Sequence, residues 1–145
     1  MISPDEVTSA IAAKLEANKA TLGIKDSAEF SEDADAKDLR PPYAGVFADF
    51  EDDASQEDPG TTQFDVPVEM KILCSSGSNK KAKHSFLEAF TIAGKVITLL
   101  KGALAVNSGE VVLMLRKRPF NIIRNSAEQT VVQVNLYYTI DAVGE

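Results

Sequence analysis

Phe64-Asp65-Val66-Pro67-Val68-Glu69-Met70-Lys71-Ile72-Leu73-Cys74-Ser75-Ser76-Gly77-Ser78-Asn79 is the stretch on which the fold turns. Apolar side chains stand at every second position, from Phe64 through Val66, Val68, Met70 and Ile72 to Cys74. Asp65, Glu69 and Lys71 take alternate places. A period of two is the repeat of a strand with one buried face. Pro67 belongs to the outward set and cannot donate to a ladder, which predicts an edge position or an interrupted pairing. Ser75 to Asn79 is a turn. Beyond it, Lys80-Lys81-Ala82-Lys83-His84 carries positive charge into a segment of different period. Phe86, Phe90, Ala93, Ile97 and Leu100 recur at steps of three and four, with Leu87 and Val96 broadening the stripe. A helix over about 82–101 follows, stopped at Gly102 just after Lys101 and packed on the sheet.

Outward from this unit, Ser3-Pro4-Asp5-Glu6 is a helix start. Ser3 and Glu6 have the spacing of a capping box, and Pro4 takes the first helical position, where a missing N–H costs nothing. Val7, Ile11 and Leu15 make one face, widened by Ala10, Ala13 and Ala17, and Gly23 supplies a stop, so a helix is predicted over 4–19. Residues 25–40 are polar and end at Pro41-Pro42. Tyr43 to Phe50 reads as a strand with Val46, Ala48 and Phe50 on one side and Tyr43, Gly45, Phe47 and Asp49 on the other. Residues 51–63 are acidic and rich in turn formers, which predicts an exposed loop between strands. Glu110 to Arg118 reads as a strand ending at Pro119, continued by Phe120 to Arg124 after a bend. Gln129 to Asp141 alternates most cleanly, with Val132, Val134, Leu136, Tyr138 and Ile140 against Gln133, Asn135, Tyr137 and Thr139. The expectation is one α+β domain over residues 1–145. Its mainly antiparallel or mixed sheet of four to five strands is packed by two main helices, at about 4–19 and 82–101.

Composition narrows the function. The net charge of -7 argues against a protein that holds duplex nucleic acid by neutralising phosphates. A lone Cys74 excludes an internal disulfide and suits a reducing compartment. The first residues have neither the basic nor the apolar region of a secretory signal, and no apolar stretch reaches the length of a membrane span, so a soluble cytoplasmic protein is expected.

Reactive chemistry is sparse. Asp49, Glu51 and Asp53 fall on odd positions of a calcium-loop pattern, but Ala54 stands where the glycine belongs and Gly60 where the closing glutamate belongs. A solvated loop is the better reading. His84 is the only histidine, which leaves a metal set or a nucleophile–base pair without partners, and Cys74 reads as a small buried hydrophobe. Ser76-Gly77-Ser78-Asn79-Lys80-Lys81 lacks phosphate-loop spacing. No catalytic, cofactor or metal residue is expected. What remains is charge segregated into patches. Glu51, Asp52, Asp53, Glu57 and Asp58 form an acidic one; Lys80, Lys81 and Lys83, and Arg116, Lys117 and Arg118, form basic ones. Patches of opposite sign suit self-assembly or partner docking, because complementary fields fix orientation.

In this order the segments resemble the tail terminator (tail-completion) proteins of long-tailed bacteriophages, especially the Mu-like contractile-tailed ones. The likeness is carried by Met1-Ile2 leading into the first helix, Pro42-Tyr43-Ala44-Gly45-Val46, Phe64-Asp65-Val66-Pro67-Val68, Ala89 to Gly102, and Val132-Gln133-Val134-Asn135-Leu136-Tyr137-Tyr138. The resemblance implies a non-enzymatic α+β subunit without cofactors, forming a ring, commonly a hexamer, on the head-proximal end of a tail tube. Its implied partners are the tube protein, the sheath protein if the tail contracts, and a neck or connector protein. Its implied place is the tail or neck of a virion assembled in the host cytoplasm, with no nucleic-acid recognition and no membrane. The acidic and basic patches would be opposite halves of its contacts. The competing expectation is a small ligand- or peptide-binding module with a pocket between the second helix and the sheet.

Overall fold

Helix α1 (Pro4–Ala17) starts as its first residues dictate. Ser3 Oγ accepts from the Glu6 amide, and Glu6 Oε2 accepts from the Ser3 amide at 2.9 Å, closing the capping box. The helix stops earlier than the period suggests. Asn18 leaves helical geometry and donates its side-chain amide to the Lys14 carbonyl at 2.8 Å. A single-turn helix α2 (Lys19–Leu22) follows, and Gly23, at φ 78°, terminates that turn. These elements come from a computed structural model that describes residues 3–29, 40–49, 65–77, 82–125 and 129–141.

The strands are β1 (Asp26–Glu29), β2 (Tyr43–Asp49), β3 (Asp65–Ser75), β4 (Gly102–Val106), β5 (Gly109–Asn125) and β6 (Thr130–Asp141), with helix α3 (Ala82–Leu100) between β3 and β4. They form one mixed sheet in the order β1-β2-β3-β6-β5-β4, parallel only between β1 and β2. The expectation of four to five strands is therefore corrected to six. The two missed strands have local reasons. Asp26-Ser27-Ala28-Glu29 carries no apolar alternation and is a strand through its backbone pairing with Tyr43–Val46. β4 follows α3 after Lys101 alone, with no turn cluster between them. Gly102, at φ 107°, makes that reversal in a conformation that side chains resist.

Register explains the core. Ala44, Cys74 and Val132 lie side by side across β2, β3 and β6, as do Val46, Ile72 and Val134, and then Ala48, Met70 and Leu136. All but the partly buried Ala48 are fully buried, on the face that receives both main helices. α3 lies over the middle of the sheet, on β6, β3 and β5. α1 touches β1 and β2 at one side and β4 at the other, so the sheet curls around α1. β3 is interior from Glu69 to Ser75, between β2 and β6, and Pro67, expected at an edge or an interrupted pairing, lies past the described β2 ladder. The β2 ladder runs only to Asp49 opposite Glu69, and Pro67 has its partner, Thr139, on β6.

The helices are rotated slightly from the predicted stripes. In α1, Thr8 is buried beside Val7, Ile11 and Leu15, whereas Ala13 and Ala17 face solvent. In α3 the buried line is Ser85, Ala89, Ile92, Ala93, Val96 and Leu100. The small Ala89 and Ala93 let the helix axis approach the sheet. The bulky Phe86, Phe90 and Ile97 are displaced to its flank, where Phe90 meets Phe120 of β5 edge-on at 5.3 Å between ring centroids. Leu87, expected in the stripe, is 51% exposed.

Candidate interaction site

The sheet face away from the helices carries a group of charged and polar side chains gathered into a groove. Its elements are β3, β6 and β5, and its origin is an irregularity in β5. Leu115 pairs with Leu136, but the next paired residue is Phe120, opposite Val134. Four residues, Arg116 to Pro119, thus stand opposite Asn135 alone. A regular strand would send Phe120, five positions after Leu115, to the other face. The bulge absorbs the odd step and returns Phe120 to the core, against Phe90. Pro119 sits in this interval, where its missing donor breaks no regular pair, and the strand continues beyond it to Asn125, in line with the continuation expected over Phe120 to Arg124.

β6 holds the bulge in place. Asn135 Nδ2 donates to the Arg118 carbonyl at 3.0 Å, and Gln133 Nε2 donates to Asn135 Oδ1 at 2.9 Å. Both amides are nearly buried, at 8% and 7% exposure for Gln133 and Asn135, so each is costly to bury unless hydrogen-bonded. Arg116 turns back over the sheet. Its guanidinium forms an ion pair with Glu69 and lies 4.3 Å from the centroid of the Tyr137 ring. Glu69 and Tyr137 are cross-strand partners, so the sheet register itself builds this clasp. Lys117 and Arg118 are exposed and make no ion pair among the described residues. Lys71, opposite Asn135, lines the same groove, whose volume is about 570 Å³.

Of the residues singled out in the sequence, Arg116, Lys117 and Arg118 come together in this bulge. Lys83 is the second residue of α3. Glu51, Asp52, Asp53, Glu57, Asp58, Lys80 and Lys81, with the rest of the acidic 51–63 stretch, lie outside the described residues. The sequence reading missed Glu69, Lys71, Gln133, Asn135 and Tyr137. Each was placed on the correct outward face, but nothing in one strand tells which residues of another it will meet. Two buried amides on the outward side of an otherwise apolar strand were the signal available.

Other chemistry stays local. Cys74 is fully buried and its thiol is pushed well up by that burial; His84 is exposed. Tyr138 has a buried hydroxyl with no hydrogen-bond partner among the described residues, pushed up to about 12, first by burial and then by the charge of Glu6. Among the described residues no group of three or more His, Cys, Asp or Glu side chains could hold a metal ion, and no helix is long and apolar enough to cross a membrane. No family model matches the chain, and no curated protein matches it either.

Proposed function

We propose that this chain is a non-enzymatic assembly subunit that caps the head-proximal end of a phage tail tube as an oligomeric ring, with a hexamer as the expected stoichiometry. In that role it stops tube growth and joins the tail, and the sheath where the tail contracts, to the neck. The observation that carries the proposal is the braced bulge of β5. Lys117 and Arg118 are exposed beside Arg116, which is held on Glu69, and the Arg118 carbonyl is held by Asn135, on the face that the helices leave clear. A subunit that repeats one contact around a ring needs such a preset surface, because order already present in the free protomer is not lost again on binding. The α+β fold, with its helices gathered on one face, agrees with the resemblance at a coarser level.

The test is to assemble tail tube protein with and without this chain and to measure tube length by electron microscopy. Rings at tube ends and shortened tubes are expected. Tubes of unchanged length with bare ends would refute the proposal.

A second reading, a peptide-binding module, draws support from an apolar groove of about 560 Å³ between α2 and α3, lined by Leu22, Phe90, Gly94, Thr98 and Leu99 among others. It lies on the outer side of α3, not between that helix and the sheet, where the core is closed. Amphipathic peptides that raise the melting temperature would favour this module. Melting unaffected by such peptides would leave it without support.

A further inference from the structure

We propose that the outer edge of β5, over residues 120–125, takes up an extended segment of a partner protein in which apolar residues alternate with carboxylates, adding one strand to the sheet. The inference goes beyond the assembly reading and does not depend on it.

β5 has two pairing sides and fills them unequally. Leu113 is its last residue paired with β4, opposite Gly102, whereas pairing with β6 begins at Met114 and runs to Asn125. From Met114 onward, the side away from β6 has no strand beside it among the described residues. An unpaired edge is a row of N–H and C=O groups that a second chain can satisfy, and folded proteins blunt it with charge, proline or a bulge. β5 carries all three between Arg116 and Pro119. The next four residues, Phe120-Asn121-Ile122-Ile123, have neither charge nor proline, and Ile122 and Ile123 are each 51% exposed. A second register shift, at Ile123, skips one residue, and pairing resumes at Arg124.

What lies on either face of that edge defines the occupant. On the helix side, Phe120 and Ile122 are in register with the buried Val134 and Val132. The rings of Phe86, Phe90 and Phe120 follow one another at 4.6 and 5.3 Å between centroids, and all three are only partly buried. With Ile122 they make an apolar shelf beside the edge. On the opposite face, Lys117 and Arg118 are exposed at the neighbouring bulge, where Asn135 holds the Arg118 carbonyl. The edge asks for extended backbone, the shelf for apolar side chains and the two cations for carboxylates. A strand shows every second residue to each face, so one alternating segment meets all three demands. A second copy offering its own β5 edge brings no carboxylate, since residues 114–125 contain none, and a different protein is therefore the occupant.

The probe is a fluorescein-labelled nonapeptide of alternating valine and glutamate, added to the full chain and followed by fluorescence anisotropy. Saturable binding is expected, with slower amide exchange over residues 120–123 in the complex. Three altered probes separate the features: lysine in place of glutamate, the same residues sorted into two blocks, and N-methylated amides. Each should bind weaker by about tenfold or more. On the protein, the pair Lys117→Gln and Arg118→Gln should weaken binding about tenfold, and so should Ile122→Ser, with circular dichroism unchanged. Ile122→Ala replaces Ile122→Ser if the latter melts early. An N-methylated peptide that binds as well as its parent would reduce the contact to charge attraction without strand addition, and the inference fails. Absence of binding by the alternating peptide, or protection that appears away from residues 120–123, overturns it as well. Protection of residues 120–123 in the chain alone, with a dimer in sedimentation velocity, would give the edge to a second copy and likewise refute it.

Discussion

Cys74 shows how far burial alone determines a side chain's chemistry. Its sulfur lies between Ala44 and Val132 in the ladder, and burial in that apolar setting disfavours the thiolate. The native protein is expected to resist thiol-specific reagents and to react only after denaturation; prompt stoichiometric labelling in native buffer would show that β3 is not placed as described. Glu6 behaves oppositely. A hydrogen bond from the Ser108 side chain and then one from the Ser3 amide at 2.9 Å hold its pKa below the ordinary 4.5, with the Ser108 amide at 2.7 Å adding a smaller share. A depressed folded-state value means that Glu6 stabilises the fold above about pH 4.5, and that this share is lost as pH falls through the folded value. Denaturation curves at successively lower pH should therefore show a loss that Glu6→Gln removes, and an identical profile in the variant would contradict the clasp between α1 and the β4–β5 turn. Tyr138 offers a third check. Its hydroxyl is buried with no partner among the described residues, so Tyr138→Phe should be neutral or stabilising by about 1 kcal/mol in urea unfolding. A clear loss of stability would mean that the hydroxyl is hydrogen-bonded.

At the scale of the element, the β5 bulge decides both the core and the surface. Removing its brace with Asn135→Ala takes a donor from the Arg118 carbonyl and an acceptor from the nearly buried Gln133. A loss of about 1–3 kcal/mol is expected, read by chemical denaturation, together with faster amide exchange in residues 116–119. Unchanged stability and exchange would mean that the bulge is held by something else. The bulge also marks the boundary of what the sequence could reveal. β3, β6 and α3 were legible because period two and period 3.6 are written in their side chains, and burial rewards each pattern independently of topology. β1 was illegible because Asp26-Ser27-Ala28-Glu29 contributes a backbone edge and little apolar area. β4 was hidden by the reading of Gly102 as a stop, although the same glycine opens the next strand. The three cations of the site were visible as composition. Their neighbours Glu69, Tyr137 and Asn135 were not, since they meet Arg116 and Arg118 only through the order β3-β6-β5, which no local pattern encodes.

For the whole molecule, both main helices share one face of a curled sheet, and the other face carries the charged groove with a small apolar cluster of Tyr43, Leu73 and Val131. Such a division separates the part that folds from the part that can make contacts. The assembly account treats that second face as a subunit surface, with its exposed cations weak one by one and effective when repeated around a ring. Its central claim, that the chain acts by self-association, is tested most directly by the mass of the purified protein in solution, measured by light scattering across a range of concentrations at low salt. The account predicts a closed oligomer of defined mass, six protomers being the expected number, which dissociates as salt is raised. A single protomer mass at every concentration, unchanged when tail tube protein is added, would contradict it.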